Sequence, residues 1–352
     1  MKRAQARPTA KLSDVARLAN VSTATVSRAL TLPHKVNGAT LARINQAVQD
    51  LGYVAHGAAR ALATRRTHTI GAIIPTLDNA IFANTTHALQ KALDEAGYTL
   101  LLACNEFDPE IEMRATRALI ARGVDGLVLV GTTHHPDLFA TIEAHGVPYV
   151  LSWALDKDGR HPCVGFDNRG AAMRLVKYLV ELGHRRFAMI SGLTANNERA
   201  LERRDAVREA LAARGIALPP SRLVEEPFTL NAGREGLAQV LHGREAPPTA
   251  VICGNDVLAI GAIAECHARG LRVPQDISVT GFDDMEIAAL INPSLTTVRF
   301  PTRELGSLAA QHLLARLGAK TVPLCRELPV ELVVRESTAP PRRARKAANA
   351  TG

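Results

Sequence analysis

From Thr69 onward the chain alternates short apolar runs with longer stretches of helical spacing, and this alternation restricts the fold more than any other feature of the sequence. A first cycle reads TIGAIIP, IFANTTHALQKALDEAGY, TLLLAC, PEIEMRATRALIARGV, GLVLVG, HPDLFATIEAHGV and PYVLSW. A second cycle begins near Phe166 and contains RGAAMRLVKYLVELGH, RFAMISG, ALERRDAVREALAARG, RLVEE, NAGREGLAQVLHG, TAVICG, DVLAIGAIAECHARG and ISVTGF. Such a rhythm is typical of parallel sheets with helices on both faces.

Two α/β halves of about equal size predict two doubly wound lobes around a cleft. Ligands of such sheets bind beyond the carboxyl ends of the strands. We therefore expect a small-molecule receptor, in which the side chains at those strand ends contact the ligand: Asp78, Phe82, Ser152, Trp153, Asn197, Arg203, Phe228, Asp256 and Asp283.

Each of these residue types has a role in ligand binding and an alternative role in the fold. Trp153 could stack on an apolar ligand face, and Arg203 could bind a carboxylate or paired hydroxyls through its guanidinium fork. The aspartates could accept hydrogen bonds from hydroxyls. Alternatively, the phenylalanines belong to the core, and Asp256 and Asp283 are helix N-caps.

Positive charge is concentrated at the two ends of the chain. The net charge of the 352 residues is +8, but residues 1–66 hold eleven Lys/Arg against Asp14 and Asp50, which gives +9. Residues 339–352 add four more positive charges, so the intervening body carries −5. A basic tail is commonly a solvated, disordered segment, whereas a basic and patterned head indicates nucleic-acid binding.

The head, LSDVARLANVSTATVSRAL, has apolar residues at helical spacing on two short segments. Asn20 is a plausible turn residue, and Ser22 stands where the second helix needs an N-cap. A third helix is expected from about Ala39 to Leu51, closed by Gly52. Three short helices with one basic face predict a helix-turn-helix DNA-binding domain.

In such a domain the second helix enters the major groove. Thr23, Ala24 and Arg28 are expected at base edges, while serine and threonine hydroxyls bind phosphates or, alternatively, only cap the helix. The predicted DNA-contacting set is Ser22, Thr23, Ala24, Thr25, Ser27, Arg28, Lys35, Thr40, His56, Ala59 and Leu62.

A short helix-prone piece, AARALA, follows Gly57. It is too short to be stable alone, but two such helices from a dimer could fold against each other on DNA. Leu62 would then be a wedge in the minor groove. The alternative is an ordinary linker helix.

The remaining features exclude several classes of protein. The five cysteines, Cys104, Cys163, Cys253, Cys266 and Cys325, form no zinc-type spacing and are expected to be buried thiols in a reducing compartment. The sequence has no apolar stretch of roughly 20 residues and no apolar core of a signal peptide near its start, so we expect a cytoplasmic protein. We find no phosphate-binding, zinc-protease or nucleophile-elbow motif, so we expect no enzyme, no cofactor and no metal. A sugar-binding transport protein would share the body, but not the basic head.

Several segments together resemble the LacI/GalR family of bacterial repressors: DVARLANVSTATVSRAL, LGY, AARALAT, GHRR, GNDVLAIGA, LRVPQDISVTGFDD and NPSLTTVRFP. The resemblance runs from about Lys11 to Ser337. It implies a periplasmic-binding-protein-like body, a homodimer, a pseudopalindromic operator and Leu62 as the minor-groove lever. By position it places Phe82, Trp153, Arg203, Phe228 and Asp283 at the ligand, with Asp256 near the cleft.

The resemblance also implies the domain boundaries. These are a disordered basic N-terminus (1–10), a helix-turn-helix domain (11–55), a hinge helix and linker (56–66), a body (67–338) and a disordered basic tail (339–352). Within the body, the first lobe is 67–166 and 299–325, and the second is 167–298 and 326–338. The tail has no leucine heptads, which favours a dimer over a tetramer.

The chain departs from the family pattern at three places. Lys11 replaces the usual Ser or Thr cap, His56 stands where Asn is common, and Ala206-Val207 replaces a Gly-Phe pair. Within the family, DGLVLVGTTHHPDLFATIEAHGVP and VGFDNRGAA look most like gluconate-utilisation repressors. This likeness suggests a sugar-acid effector, whose carboxylate would pair with Arg199, Arg203 or Arg204.

Overall fold

We analysed a computed structural model of the chain, which describes residues 10–54, 66–242 and 245–342. The chain divides into two units, residues 1–68 and residues 69–352. Within the described ranges, no helix is both long enough and apolar enough to cross a membrane, and no three His, Cys, Asp or Glu side chains come together as a metal site. The predicted contacts at His56, Ala59 and Leu62 lie outside the described residues.

The head consists of three helices, α1 (Leu12–Leu18), α2 (Thr23–Thr31) and α3 (Gly38–Leu51), with a 3-10 turn at Pro33–Lys35. Its small core is apolar and comes from all three helices: Val15, Ala16, Ala19, Val26, Ala29, Ile44 and Ala47. Asn20 adopts the left-handed conformation that the turn requires, with φ of 52°. Helix α1 has no side-chain cap from Lys11, and Asp14 instead accepts a hydrogen bond from the Lys11 N–H. This arrangement confirms the predicted helix-turn-helix head.

The body alternates strands and helices along most of its length. Its strands are β1 (Thr69–Ile74), β2 (Thr99–Cys104), β3 (Gly126–Val130), β4 (Tyr149–Ser152), β5 (Cys163–Gly165), β6 (Phe187–Gly192), β7 (Leu223–Glu226), β8 (Ala250–Cys253), β9 (Ser278–Thr280), β10 (Thr297–Arg299), β11 (Cys325–Glu327) and β12 (Glu331–Val333). Its helices are α4 (Ala80–Glu95), α5 (Pro109–Ala121), α6 (Leu138–Ala144), α7 (Asn168–Glu181), α8 (Glu198–Ala212), α9 (Leu230–Leu241), α10 (Asp256–Ala268) and α11 (Thr302–Leu317).

Ten of these strands form two parallel sheets, which define the two lobes. The first lobe contains a six-stranded sheet in the order β11-β5-β4-β3-β1-β2, and the second a four-stranded sheet in the order β7-β6-β8-β9. Strands β3, β4, β6 and β8 are buried at every residue, as expected for strands covered on both faces. The predicted fold class, a helix-turn-helix head on a two-lobed α/β body, is confirmed.

The chain passes between the lobes along a small antiparallel ribbon of β10 and β12. Residue 325, predicted as the end of a first-lobe segment, is the first residue of β11, which continues in the first sheet to Glu327. Ala339, predicted as the first residue of the disordered tail, is hydrogen-bonded to the second lobe. Its N–H donates to the Ser278 hydroxyl, and its carbonyl accepts from His184.

The prediction that all five cysteines are free thiols is wrong, since Cys163 and Cys325 form a disulfide. Each is the first residue of its strand, and the two are register partners in the parallel pair β5–β11, with their Cα atoms 4.4 Å apart. They are 162 residues apart in sequence, so only the strand order of the folded sheet brings them together. Cys104, Cys253 and Cys266 are free.

Candidate functional site

A cavity lies between the lobes, beyond the carboxyl ends of strands from both sheets. On the side of the first lobe it is lined by the segments after β1, β2, β4 and β5, the last of which reaches the start of α7. On the side of the second lobe it is lined by the segments after β6, β7, β8 and β9. The lining residues are Asn79, Ile81, Phe82, Phe107, Trp153, Phe166, Asn168, Asn197, Arg199, Arg203, Phe228, Asn255 and Asp283.

Six of the nine residues predicted from strand ends line this cavity: Phe82, Trp153, Asn197, Arg203, Phe228 and Asp283. The other three are not among its lining residues in the described chain. Asp78 is exposed. The Ser152 hydroxyl points into the sheet and donates to the Leu129 carbonyl. Asp256 is buried beneath the site, where it accepts hydrogen bonds from Thr297 and Met285.

One wall of the cavity is aromatic. The rings of Phe82 and Trp153 are 4.7 Å apart between centroids, and Trp153 meets Phe300 edge-on at 5.4 Å. Phe166 stacks on Phe300 at 4.0 Å. Phe82 and Trp153 belong to the core cluster and also line the cavity. An aromatic wall suits the apolar C–H face of a sugar ring or chain.

Arg203 is the central polar residue of the opposite wall. Its guanidinium lies 4.5 Å above the ring of Phe282, its Nε donates to the Arg199 carbonyl, and Nη1 is 3.9 Å from Asp283 Oδ1. Burial lowers the pKa of Arg203 to about 10, against the opposing effect of Asp283, so the guanidinium stays charged at neutral pH. Burial also raises the pKa of Asp283 well above its usual value, although Arg203 opposes this shift.

The three arginines considered for a ligand carboxylate are placed differently. Arg199 and Arg203, one helical turn apart on α8, both line the cavity. Arg204 is not among the lining residues and pairs instead with Glu225 and Asp205. Two arginines therefore line the ligand space.

The sequence reasoning missed three asparagines of the site: Asn79, Asn168 and Asn255. Asn79 and Asn255 cap helices with their side-chain oxygens, accepting from the N–H groups of Ile81 and Leu258, so an N-cap signal was present at both. The prediction chose the neighbouring aspartate in each of these Asn/Asp pairs. In the fold the asparagine faces the cavity.

Asn168 has an unusual environment within this set. Its Nδ2 donates to the Trp153 carbonyl at 3.2 Å, which fixes the amide orientation. The residue is 1% exposed, and among the described residues its Oδ1 has no hydrogen-bond partner. A buried carbonyl oxygen that lacks a donor is costly. A ligand that reached this oxygen from the cavity that Asn168 lines would satisfy it with a donor group.

The head presents the predicted DNA-reading residues on α2 and beside it. Thr23, Ala24, Ser27, Arg28 and Lys35 are exposed, whereas Thr25 and Thr40 are partly buried. The Ser22 hydroxyl accepts from the Thr25 N–H at 3.1 Å and also contacts the Thr25 hydroxyl at 2.9 Å. Capping thus occupies Ser22, whereas the exposed positions of the same helix keep their side chains accessible to DNA.

Comparison with known proteins covers both units of the chain. Residues 11–56 match the family described as bacterial regulatory proteins, lacI family, and residues 176–338 match a periplasmic binding protein-like domain. The HTH-type transcriptional regulator GntR of Escherichia coli K12 is 33% identical over 316 residues, which are 88% of this chain and 93% of that protein. The ribose operon repressor of the same strain is 34% identical over 315 residues, 89% and 94% of the two chains. A crystal structure of the lac repressor dimer bound to operator and the anti-inducer ONPF superimposes with a TM-score of 0.84 at 27% identity, covering 94% of this chain and all of that one.

Proposed function

The chain belongs to the lacI family of bacterial regulatory proteins, and from that premise we propose that it is a cytoplasmic repressor that binds a pseudopalindromic operator as a homodimer and responds to a sugar acid such as gluconate. The family makes it a transcription regulator and not an enzyme. The dimer has a precedent in the lac repressor structure, and the choice of a sugar acid follows the likeness of two sequence segments to gluconate-utilisation repressors.

The pair Arg199 and Arg203 is the observation that carries the choice of a sugar acid. Both residues line the cavity, and the buried carboxyl groups beside their guanidiniums are Glu198 and Asp283. Burial raises the pKa of Asp283, so a bound anion meets less repulsion from this carboxyl than from an ordinary aspartate. A ligand carboxylate can then form charge-assisted hydrogen bonds to the guanidiniums.

The rest of the cavity suits the polyhydroxyl chain of such a ligand. Asn79 and Asn255 keep amide N–H donors, because their oxygens are used as helix caps. Asn168 supplies an acceptor. Phe82 and Trp153 provide the apolar wall. Alternating donors, acceptors and aromatic surface are the usual means of recognising a carbohydrate.

On the DNA side, the proposal assigns base reading to α2. Arg28 can bond both acceptors of a guanine edge, and Thr23 and Ala24 can contact a thymine methyl. The effector would change the relation of the first lobes across the dimer, and with it the spacing of the two hinge segments. Effector and operator affinities must then be coupled reciprocally.

Binding of fluorescent operator DNA tests both parts of the proposal. The duplex is a palindromic sequence from beside the gene, titrated at several salt concentrations with and without gluconate and related aldonates. Specific binding that an aldonate weakens or strengthens supports the whole proposal. Specific binding that no aldonate alters removes the sugar acid, and equal affinity for random DNA at every salt concentration removes the repressor.

A further inference from the structure

Glu198, the first residue of α8, extends from the second lobe to the first. Its Oε1 accepts a hydrogen bond from the Thr132 N–H at 3.0 Å, and its Oε2 accepts from the Thr133 N–H at 3.3 Å. Both threonines lie in the loop that follows β3 of the six-stranded sheet. A single carboxylate thus joins the two lobes through two backbone donors.

This contact is largely shielded from water. The Glu198 side chain is 14% exposed, and Arg199 Nη1 lies 2.9 Å from Glu198 Oε1. Burial alone would raise the pKa of Glu198, but Arg199 and the backbone N–H donors outweigh it and lower the pKa. The group is therefore a carboxylate near neutral pH, and its hydrogen bonds are charge-assisted.

The loop that receives Glu198 is held in place from within the first lobe. His134 Nδ1 is 2.9 Å from the buried carboxylate of Glu112, and its Nε2 is 3.1 Å from the Gly131 carbonyl. Gly131 itself has φ of 92°, and a Cβ there would collide with the Arg199 guanidinium and the Glu198 carboxylate. The close approach of the lobes at this point requires glycine.

A second acid of α8 repeats the pattern one turn later. Glu202 pairs at 2.6 Å with Lys157, which lies in the segment after β4 of the first lobe. Helix α8 thus carries two adjacent stripes, in which Glu198 and Glu202 contact the first lobe and Arg199 and Arg203 line the cavity. Residues four apart share a helix face, so the sequence ERALERR encodes both stripes.

We propose that Glu198 is a positioning residue that draws the lobes together through Thr132 and Thr133 and fixes Arg199 at the cavity wall. The chain itself then contributes part of the free energy of cleft closure. A larger closed fraction raises the apparent affinity for any ligand that binds the closed form. The consequence for operator binding rests on the proposed repressor function, but the closing contact does not.

Amide hydrogen exchange of the full-length protein without effector tests the contact directly. We expect Glu198→Ala to accelerate exchange at the Thr132 and Thr133 amides by roughly tenfold or more, as the loss of charge-assisted hydrogen bonds implies. Glu198→Gln keeps one acceptor oxygen and should restore protection in part. Glu209→Ala is the matched control, because Glu209 lies on the same helix but pairs with Arg169 inside the second lobe.

Gly131→Ala provides an independent route, since it leaves Glu198 intact and blocks the approach of the lobes. It should also accelerate exchange at Thr132 and Thr133 and increase the radius of gyration in solution scattering. Unchanged exchange in Glu198→Ala overturns the proposal, and so does equal acceleration in Glu209→Ala, which would indicate general loosening of α8. These readouts need neither DNA nor effector, so failure of the proposed repressor function would leave their meaning intact.

Discussion

The hydroxyl of Thr297 donates a hydrogen bond to Asp256 Oδ1 at 2.5 Å, and the Met285 N–H donates to Oδ2 of the same carboxyl at 2.7 Å. Asp256 is fully buried at the start of α10, and Thr297 begins β10, the strand of the ribbon between the lobes. This carboxyl therefore ties the second lobe to the ribbon in a place that water does not reach.

The burial of Asp256 leads to a pH dependence of stability. Burial raises the pKa of Asp256 to about 7, although the bonds from Thr297 and Met285 oppose the shift. In the unfolded chain the pKa is about 3.9. Between these values the folded state holds a proton that the unfolded state lacks, so this stabilisation is complete below about pH 4 and is lost as pH rises through about 7, by up to roughly 1.4 kcal/mol per pH unit.

We expect Asp256→Asn to remove this dependence, so that the stability of the variant relative to the native chain increases as the pH rises from about 4 to about 7. Urea denaturation at several pH values measures the difference. The pKa of Asp283 is also raised by burial, and the charge of Asp256 adds to that shift, so the difference between the two proteins includes the coupling of these two carboxyls. Exposed Asp94→Asn serves as the control. Parallel stability profiles for the native chain and Asp256→Asn would contradict the expectation.

Arg203 should control the effector response without affecting DNA binding. Arg203→Ala leaves Asp283 without its cation and removes a donor fork from the cavity. If the gluconate carboxylate pairs with Arg203, removing Arg203 costs about 2–5 kcal/mol of binding free energy. Gluconate affinity should therefore fall at least about thirtyfold, while operator affinity without effector stays within about threefold. Fluorescence anisotropy with and without gluconate measures both.

Arg204→Ala is the matched control for Arg203, since Arg204 is the next residue on α8 and pairs with Glu225 away from the cavity. The role assigned to Arg203 fails if the two variants weaken the gluconate response equally.

We expect Asn168 to accept a hydrogen bond from a donor group on the effector. Asn168→Ala removes the unpartnered Oδ1, which favours the folded protein, and the hydrogen bond to the Trp153 carbonyl, whose loss disfavours it. In the unliganded protein these two contributions to stability partly cancel. We expect unfolding stability to change by no more than about 1 kcal/mol, while gluconate affinity falls by about tenfold or more. Calorimetric titration and thermal unfolding separate the two effects. A large loss of stability with unaltered gluconate affinity would show that Asn168 only supports the fold.

The positions of the site were more predictable than the identities of its side chains. Because parallel strands bring their carboxyl ends to one edge, strand-end residues such as Phe82, Trp153 and Arg203 could be placed at one cavity from the alternation of elements. At Asp78-Asn79 and Asn255-Asp256 the prediction named the aspartate, whereas the asparagine of each pair lines the cavity. The direction of a side chain there depends on the first helical turn, where the asparagine caps and faces the cavity.

Two other features depend on tertiary packing and left no local signal. The disulfide joins strands that become neighbours only when the order β11-β5 forms. Glu198 reads in sequence as a favourable first-turn acid, and its bonds to Thr132 and Thr133 exist only when the lobes meet. The 3.6-residue spacing of ERALERR could have suggested two stripes, but not which lobe each stripe contacts.

The disulfide makes stability sensitive to reduction. Maleimide labelling of the denatured, unreduced chain should modify Cys104, Cys253 and Cys266 only, and prior reduction should add Cys163 and Cys325. Because the bond closes a long loop, reduction should lower the free energy of unfolding by about 2–4 kcal/mol. Cys325→Ser should show this lower stability with or without reductant. Labelling of all five cysteines without reduction would contradict the bond.

Arg28 tests whether α2 reads bases. The residue is exposed on α2, and a bidentate contact to guanine is worth about 1–3 kcal/mol of discrimination. Arg28→Ala should therefore reduce affinity for the operator far more than affinity for random DNA, and the slope of log K against log salt should fall by no more than about one.

Arg17→Ala removes the same charge from α1, where Arg17 pairs with Asp14. Any effect of that variant should be equal on both DNAs, because it is a change in general electrostatic attraction. If Arg28→Ala lowers the affinity for operator and for random DNA by the same factor, Arg28 contacts phosphates, and other residues of the head read the sequence.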